Sequence, residues 1–136
     1  MMRGSCLCGA VRFDVTGPFE EMHHCHCSRC RKAHGAAFST FAQVGAADFH
    51  LLAGAEQLRD YRSSPEVRRS FCGNCGSNLL FRLDPLPDAV WVAVAALDDD
   101  PALRPQVHIF VASKAAWHDI TDTLPQHDGY PPQDQS

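Results

Sequence analysis

All seven cysteines of this chain fall in three short groups, and that placement limits the fold more than any other feature of the sequence. Cys6-Leu7-Cys8-Gly9 reads C-x-C-G, Cys25-His26-Cys27-Ser28-Arg29-Cys30 reads C-x-C-x-x-C, and Cys72-Gly73-Asn74-Cys75-Gly76 reads C-x-x-C-G. An odd count cannot pair off completely as disulfides, and a reducing cytosol disfavours them in any case. Zinc takes four ligands in a tetrahedron with sulfur at about 2.3 Å, so two thiolates on one tight turn can reach the same ion. Glycine after the second cysteine, at Gly9 and Gly76, suits a backbone that must turn sharply and aim its N–H groups at sulfur.

The count divides into four and three. The groups holding two cysteines each, Cys6/Cys8 and Cys72/Cys75, combine most simply into a closed Cys₄ site that staples the start of the chain to its middle. Cys25, Cys27 and Cys30 then supply three thiolates from one loop and leave a fourth position open, the arrangement of catalytic rather than structural zinc. The alternative is a second closed site, completed by one of His23, His24, His26 or His34, all close in sequence. His26 lies between two ligands and is expected to point away from a shared metal. Iron–sulfur ligation fits less well, because the spacing lacks the runs typical of ferredoxins. A lone nucleophilic cysteine fits less well again, because every thiol here has a partner within three positions.

A length of 136 residues, 45% of them hydrophobic, suits one folded domain. The formal charge of -4 argues against non-specific nucleic-acid binding, which depends on an excess of Lys and Arg over the phosphates they neutralise. No segment has the apolar length of a membrane span or a signal peptide, and a cytoplasmic protein is expected.

Apolar and polar residues alternate over 9–16, 38–44, 48–52, 57–61, 67–71, 78–83, 90–95 and 106–111, the period of half-buried strands, with Gly, Pro, Asp and Ser clusters between them. Many short strands with closely spaced turns predict a mainly β fold of packed antiparallel sheets, without βαβ units. Short helical turns are expected at 28–33, capped by Ser28, and at 114–117. Trp91 and Trp117 read as core residues. Residues 1–125 are expected to form one zinc-binding domain, and 126–136 an extended, partly mobile tail with Tyr130 as its one large apolar anchor.

The segments Gly4-Ser5-Cys6-Leu7-Cys8-Gly9-Ala10-Val11, Cys25-His26-Cys27-Ser28-Arg29-Cys30, Phe71-Cys72-Gly73-Asn74-Cys75-Gly76 and His108-Ile109-Phe110-Val111, with Ser113-Lys114-Ala115 and Trp117 following, resemble the glutathione-dependent formaldehyde-activating enzyme family, which includes centromere protein V. The resemblance implies a β-tent of small antiparallel sheets, a structural zinc on Cys6, Cys8, Cys72 and Cys75, and a catalytic zinc on Cys25, Cys27 and Cys30. It also implies a carbon–sulfur lyase that forms S-hydroxymethylglutathione reversibly from glutathione and formaldehyde. A lyase for another thiol, or a non-catalytic zinc-stabilised β module that binds a protein, is the alternative. Because glutathione carries two carboxylates, Arg29, Arg31 and Lys32 beside the three-cysteine loop, and Arg59, Arg62, Arg68 and Arg69 further on, are candidate anion contacts. His108 and Lys114 are explained as readily by strand packing and turn formation as by chemistry.

Overall fold

A computed structural model describes residues 1–132. Ten strands are present: β1 (Met2–Ser5), β2 (Arg12–Val15), β3 (Glu21–Cys25), β4 (Ser39–Gly45), β5 (Phe49–Ala53), β6 (Leu58–Ser64), β7 (Val67–Cys72), β8 (Asn78–Leu83), β9 (Ala89–Ala93) and β10 (Val107–Ile109). One helix, α1 (Ser28–His34), is joined by three single 3₁₀ turns. The architecture is mainly β, as the alternating pattern requires. Its strands pair antiparallel with one exception, β10, which runs parallel to β3 at the sheet edge.

The strands form two sheets, one of three strands in the order β1-β2-β5 and one of seven in the order β10-β3-β4-β9-β8-β7-β6. Strand periodicity makes the large sheet two-faced. In β9, Val90 and Val92 join Phe13 and Val15 of the small sheet in one core, while Trp91 and Ala93 join Phe41, Val107 and Ile109 in a second core on the opposite face. Val90 and Val92 are fully buried, each contributing about 1.5–3 kcal/mol of apolar burial. One cysteine group belongs to each core: Cys6 and Cys72 to the first, Cys25 and Cys30 to the second.

Two strands escape the alternation pattern, β1 and β3. In β3 the buried positions include His23, an imidazole where a hydropathy period expects an apolar side chain. The helical turn at 28–33 is present as α1, but its cap is not Ser28. Cys27 holds the extended N-cap conformation, and its Sγ accepts the Cys30 N–H at 3.3 Å. Residues 114–117 form no helix, and a 3₁₀ turn lies just before them at Val111–Ser113. Trp117 is 73% exposed, so of the two tryptophans only Trp91 is a core residue, stacked on Phe81 at 5.0 Å.

After Leu124 the chain lies along β10. His108 N–H donates to Pro125 O, His127 N–H to His108 O, and Phe110 N–H to Gly129 O, and Tyr130 sets its ring against Phe110 at 4.8 Å. The last part of the expected tail, residues 133–136, lies outside the described residues.

Candidate metal centres

The first centre forms where two tight turns meet. Gly9 N–H donates to Cys6 O and Gly76 N–H to Cys72 O, and both glycines sit at left-handed φ values of 79° and 82°. An L-residue pays about 1–2 kcal/mol for that conformation, which explains the glycine after each cysteine pair. The sulfurs of Cys6, Cys8, Cys72 and Cys75 all lie within 4.8 Å of one another. Cys6 and Cys8 are 3.6 Å apart and Cys8 and Cys72 3.8 Å. Four sulfurs bound to one zinc stand about 3.8 Å apart, the edge of a tetrahedron with 2.3 Å arms, so this group fits zinc closely.

The donors around this quartet are neutral. Val11 N–H and Asn74 Nδ2 donate to Cys6 and Cys8, each at 3.2 Å, and the Ser77 hydroxyl lies 3.2 Å from Cys75. The Ser77 hydroxyl, helped by backbone N–H groups, pulls the Cys75 thiol down to about 5, and the Asn74 amide lowers Cys8. A lowered thiol pKa favours the thiolate, the form that a zinc ion binds.

The second centre gathers Cys25 from the end of β3, Cys27 at the cap of α1, and Cys30 inside that helix. Their sulfurs also lie within 4.8 Å of one another, a spacing that can hold a metal ion. Among the described residues no histidine nitrogen belongs to this group. Three soft sulfur donors are a set that suits zinc.

Arg69 meets this trio. Successive side chains of a strand point to opposite faces, so neighbours Arg68 and Arg69 on β7 diverge. Arg68 turns outward to Asp84 at 3.5 Å, while Arg69 turns inward and donates from Nη2 to Cys30 Sγ at 3.3 Å. The Arg69 guanidinium is further held by Ser63 Oγ at 3.0 Å and by the face of Phe81 at 5.9 Å. Hydrogen bonding to Cys25 and Cys27, then the Arg69 charge, holds the Cys30 thiol far below the ordinary thiol range. The same pairing, with burial, pushes the Cys25 thiol up.

A histidine network stands beside the loop. Asp122 accepts from His108 Nε2 at 2.9 Å, which leaves His108 Nδ1 to accept from His26 Nε2 at 2.8 Å. His26 is fully buried, its ring turned away from the sulfurs toward His108 as its place between two ligands suggests. Burial lowers both His24 and His26 to about 4, so both rings are neutral at pH 7. Sequence reasoning missed Asp122, because nothing local distinguishes it from other surface aspartates.

The other candidate anion contacts have different partners. Arg59 caps the carbonyls of Glu56 and Leu58, Arg62 pairs with Asp84, and Arg31 Nε donates to His26 O. Arg29 and Lys32 are exposed on α1. Lys114 bonds the carbonyls of Ala115 and His118, a turn-forming role.

With this geometry, residues 1–113 match the family model described as glutathione-dependent formaldehyde-activating enzyme. A protein of Halomonas elongata with the provisional name glutathione-dependent formaldehyde-activating enzyme is 36% identical over 88% of this chain and 81% of its own length. Proteins of Fusarium vanettenii and Aspergillus flavus bearing the same name are 27% and 29% identical, and the chain spans only 62% and 59% of their lengths. A crystal structure of a Rhodobacter sphaeroides protein superposes with a TM-score of 0.62 at 30% identity, covering 76% of this chain and 92% of that one. On the match over most of its length, with all three cysteine motifs inside the matched region, the chain belongs to the glutathione-dependent formaldehyde-activating enzyme family.

Proposed function

We propose that the protein is a two-zinc enzyme joining a thiol, glutathione, to formaldehyde, with Cys6, Cys8, Cys72 and Cys75 fastening the fold and Cys25, Cys27 and Cys30 holding the working ion. The observation that carries this reading is the composition of the trio: three sulfurs with no fourth protein ligand from the described histidines. Family membership and the name of the Halomonas relative support the choice of glutathione and formaldehyde as substrates. Residues 1–125 are read as the domain that carries the activity, in a cytoplasmic setting where thiols stay reduced.

Cys25, Cys27 and Cys30 would hold the zinc, which when bound would supply Lewis-acid stabilisation of an incoming thiolate. By fixing the place of that ion, the three cysteines would set where the thiolate binds. Arg69 steadies Cys30, and the backbone pairing of β3 with β10, Cys25 opposite Ile109, keeps the loop in place. In the reaction a bond forms between the thiol sulfur and the formaldehyde carbon, the carbon–oxygen double bond becomes single, and the thiol proton ends on the new hydroxyl. No electron transfer is needed. The reverse is a carbon–sulfur lyase step.

Thiols and formaldehyde combine unaided, so the test is a rate. Exchange spectroscopy of glutathione with formaldehyde, with and without the zinc-loaded protein, is expected to show faster exchange with it. No acceleration by a protein carrying both ions would contradict the proposal.

A further inference from the structure

Arg69 is the one cation seen to donate to a sulfur of either centre among the described residues, and it is 8% exposed. Its Nη1 is buried with no hydrogen-bond partner, although Nε and Nη2 are satisfied. A buried charged donor left unmatched is costly, and native structures avoid it unless something not yet bound completes the pairing. Three thiolates around a divalent ion carry a net charge of -1, and a fourth thiolate would raise it to -2. The guanidinium offsets one of those charges from inside the protein. The quartet, whose sulfurs accept from amide N–H groups, is met by no cation among the described residues.

We propose that Arg69 determines which ligand the trio accepts: its fixed positive charge makes the open position select an anionic sulfur over a neutral nitrogen donor. The claim rests on the open-site reading above and adds a residue responsible for its ligand class. Arg69 touches Cys30 and acts through the electrostatics of the centre, so it is a specificity-determining rather than a catalytic residue. Arginine suits this role because it cannot be deprotonated and its fork can serve two acceptors at once.

The test uses the protein loaded with cobalt(II) at both sites, titrated with 2-mercaptoethanol and, separately, with imidazole, and read by the change in the visible absorption of the metal. A full charge beside the ligand shell of a partly buried site changes affinity by about 10- to 100-fold. Arg69→Gln is expected to lose about that factor in thiol affinity while imidazole affinity holds or rises. Arg69→Lys, which keeps the charge, is expected to stay within about threefold of the parent. A purely structural role would weaken both ligands together. If Arg69→Gln does not fold, Ser63→Ala, which releases Nε and loosens the guanidinium, is expected to give a smaller loss of about threefold for the thiol alone. Equal thiol affinity in the parent and in a folded Gln variant, or in Ser63→Ala where the Gln variant does not fold, overturns this inference and leaves the open site standing. A parent protein whose spectrum ignores thiol overturns both.

Discussion

The two cysteine groups share a chemistry and differ in everything around it. The quartet joins sequence positions more than 60 residues apart, Cys8 meeting Cys72, whereas the trio comes from a single stretch of six residues. Closing a long loop removes conformational entropy from the unfolded chain, so a metal at the quartet ties the small sheet to the end of β7. A metal at the trio closes almost no loop and adds little to the fold. The quartet is wrapped in neutral N–H and hydroxyl donors. The trio is met by a buried cation and flanked by a hydrogen-bonded histidine pair. The proposed division between a site that holds and a site that exchanges rests on where the ligands come from and what balances their charge.

Substitutions can break this comparison. Cys72→Ala is expected to have the largest effect, because Cys72 is fully buried and a zinc ion on the proposed quartet would contribute folding energy; thermal unfolding is expected to lose its cooperative transition. Cys27→Ala should retain the fold, bind one metal instead of two by elemental analysis, and lose the acceleration of glutathione–formaldehyde exchange. Similar unfolding of both variants would erase the proposed division of labour.

Backbone strain sharpens the same contrast. At Gly76 and at Gly35, the cap that ends α1, φ is positive and an added Cβ would meet nothing within 4 Å. Alanine at either position should therefore cost about 1–2 kcal/mol from backbone strain alone. Gly76→Ala is expected to weaken metal retention at the quartet under a competing chelator, and Gly35→Ala only at the trio.

A smaller effect is expected from acid. His24 and His26 have folded pKa values near 4, below the ordinary histidine value, so below about pH 6.5 the unfolded chain binds more protons than the folded one. Their contribution to stability is complete above that pH and falls as the pH drops toward 4. His24→Phe should flatten the dependence of the unfolding free energy on pH across that window, measured by denaturant titration; an unchanged slope would show that the ring does not stay neutral in the fold.

The cysteine groups were legible because zinc half-sites are local in sequence, and the glycines that follow them announce the turn. Strands such as β4 and β9 were legible because their alternation reports two faces. β3 was not, because His23 is buried where the pattern expects an apolar side chain and His24 finds its partner, Thr40, only after folding. Arg69 was one of four arginines until the register set it opposite Phe81 and turned it inward. Asp122 acquires its role only when the segment after β10 folds back beside His108. Charge balance at the trio is therefore a tertiary property, whereas its ligand set is a primary one.

The most direct measurement is a crystal structure of the zinc-loaded protein soaked with glutathione, with metal positions fixed by anomalous scattering. One ion is expected on Cys6, Cys8, Cys72 and Cys75 with no exogenous ligand, and a second on Cys25, Cys27 and Cys30 with the thiol sulfur as its fourth neighbour. A second ion closed by a histidine nitrogen, or a trio that binds no metal at all, would contradict the account.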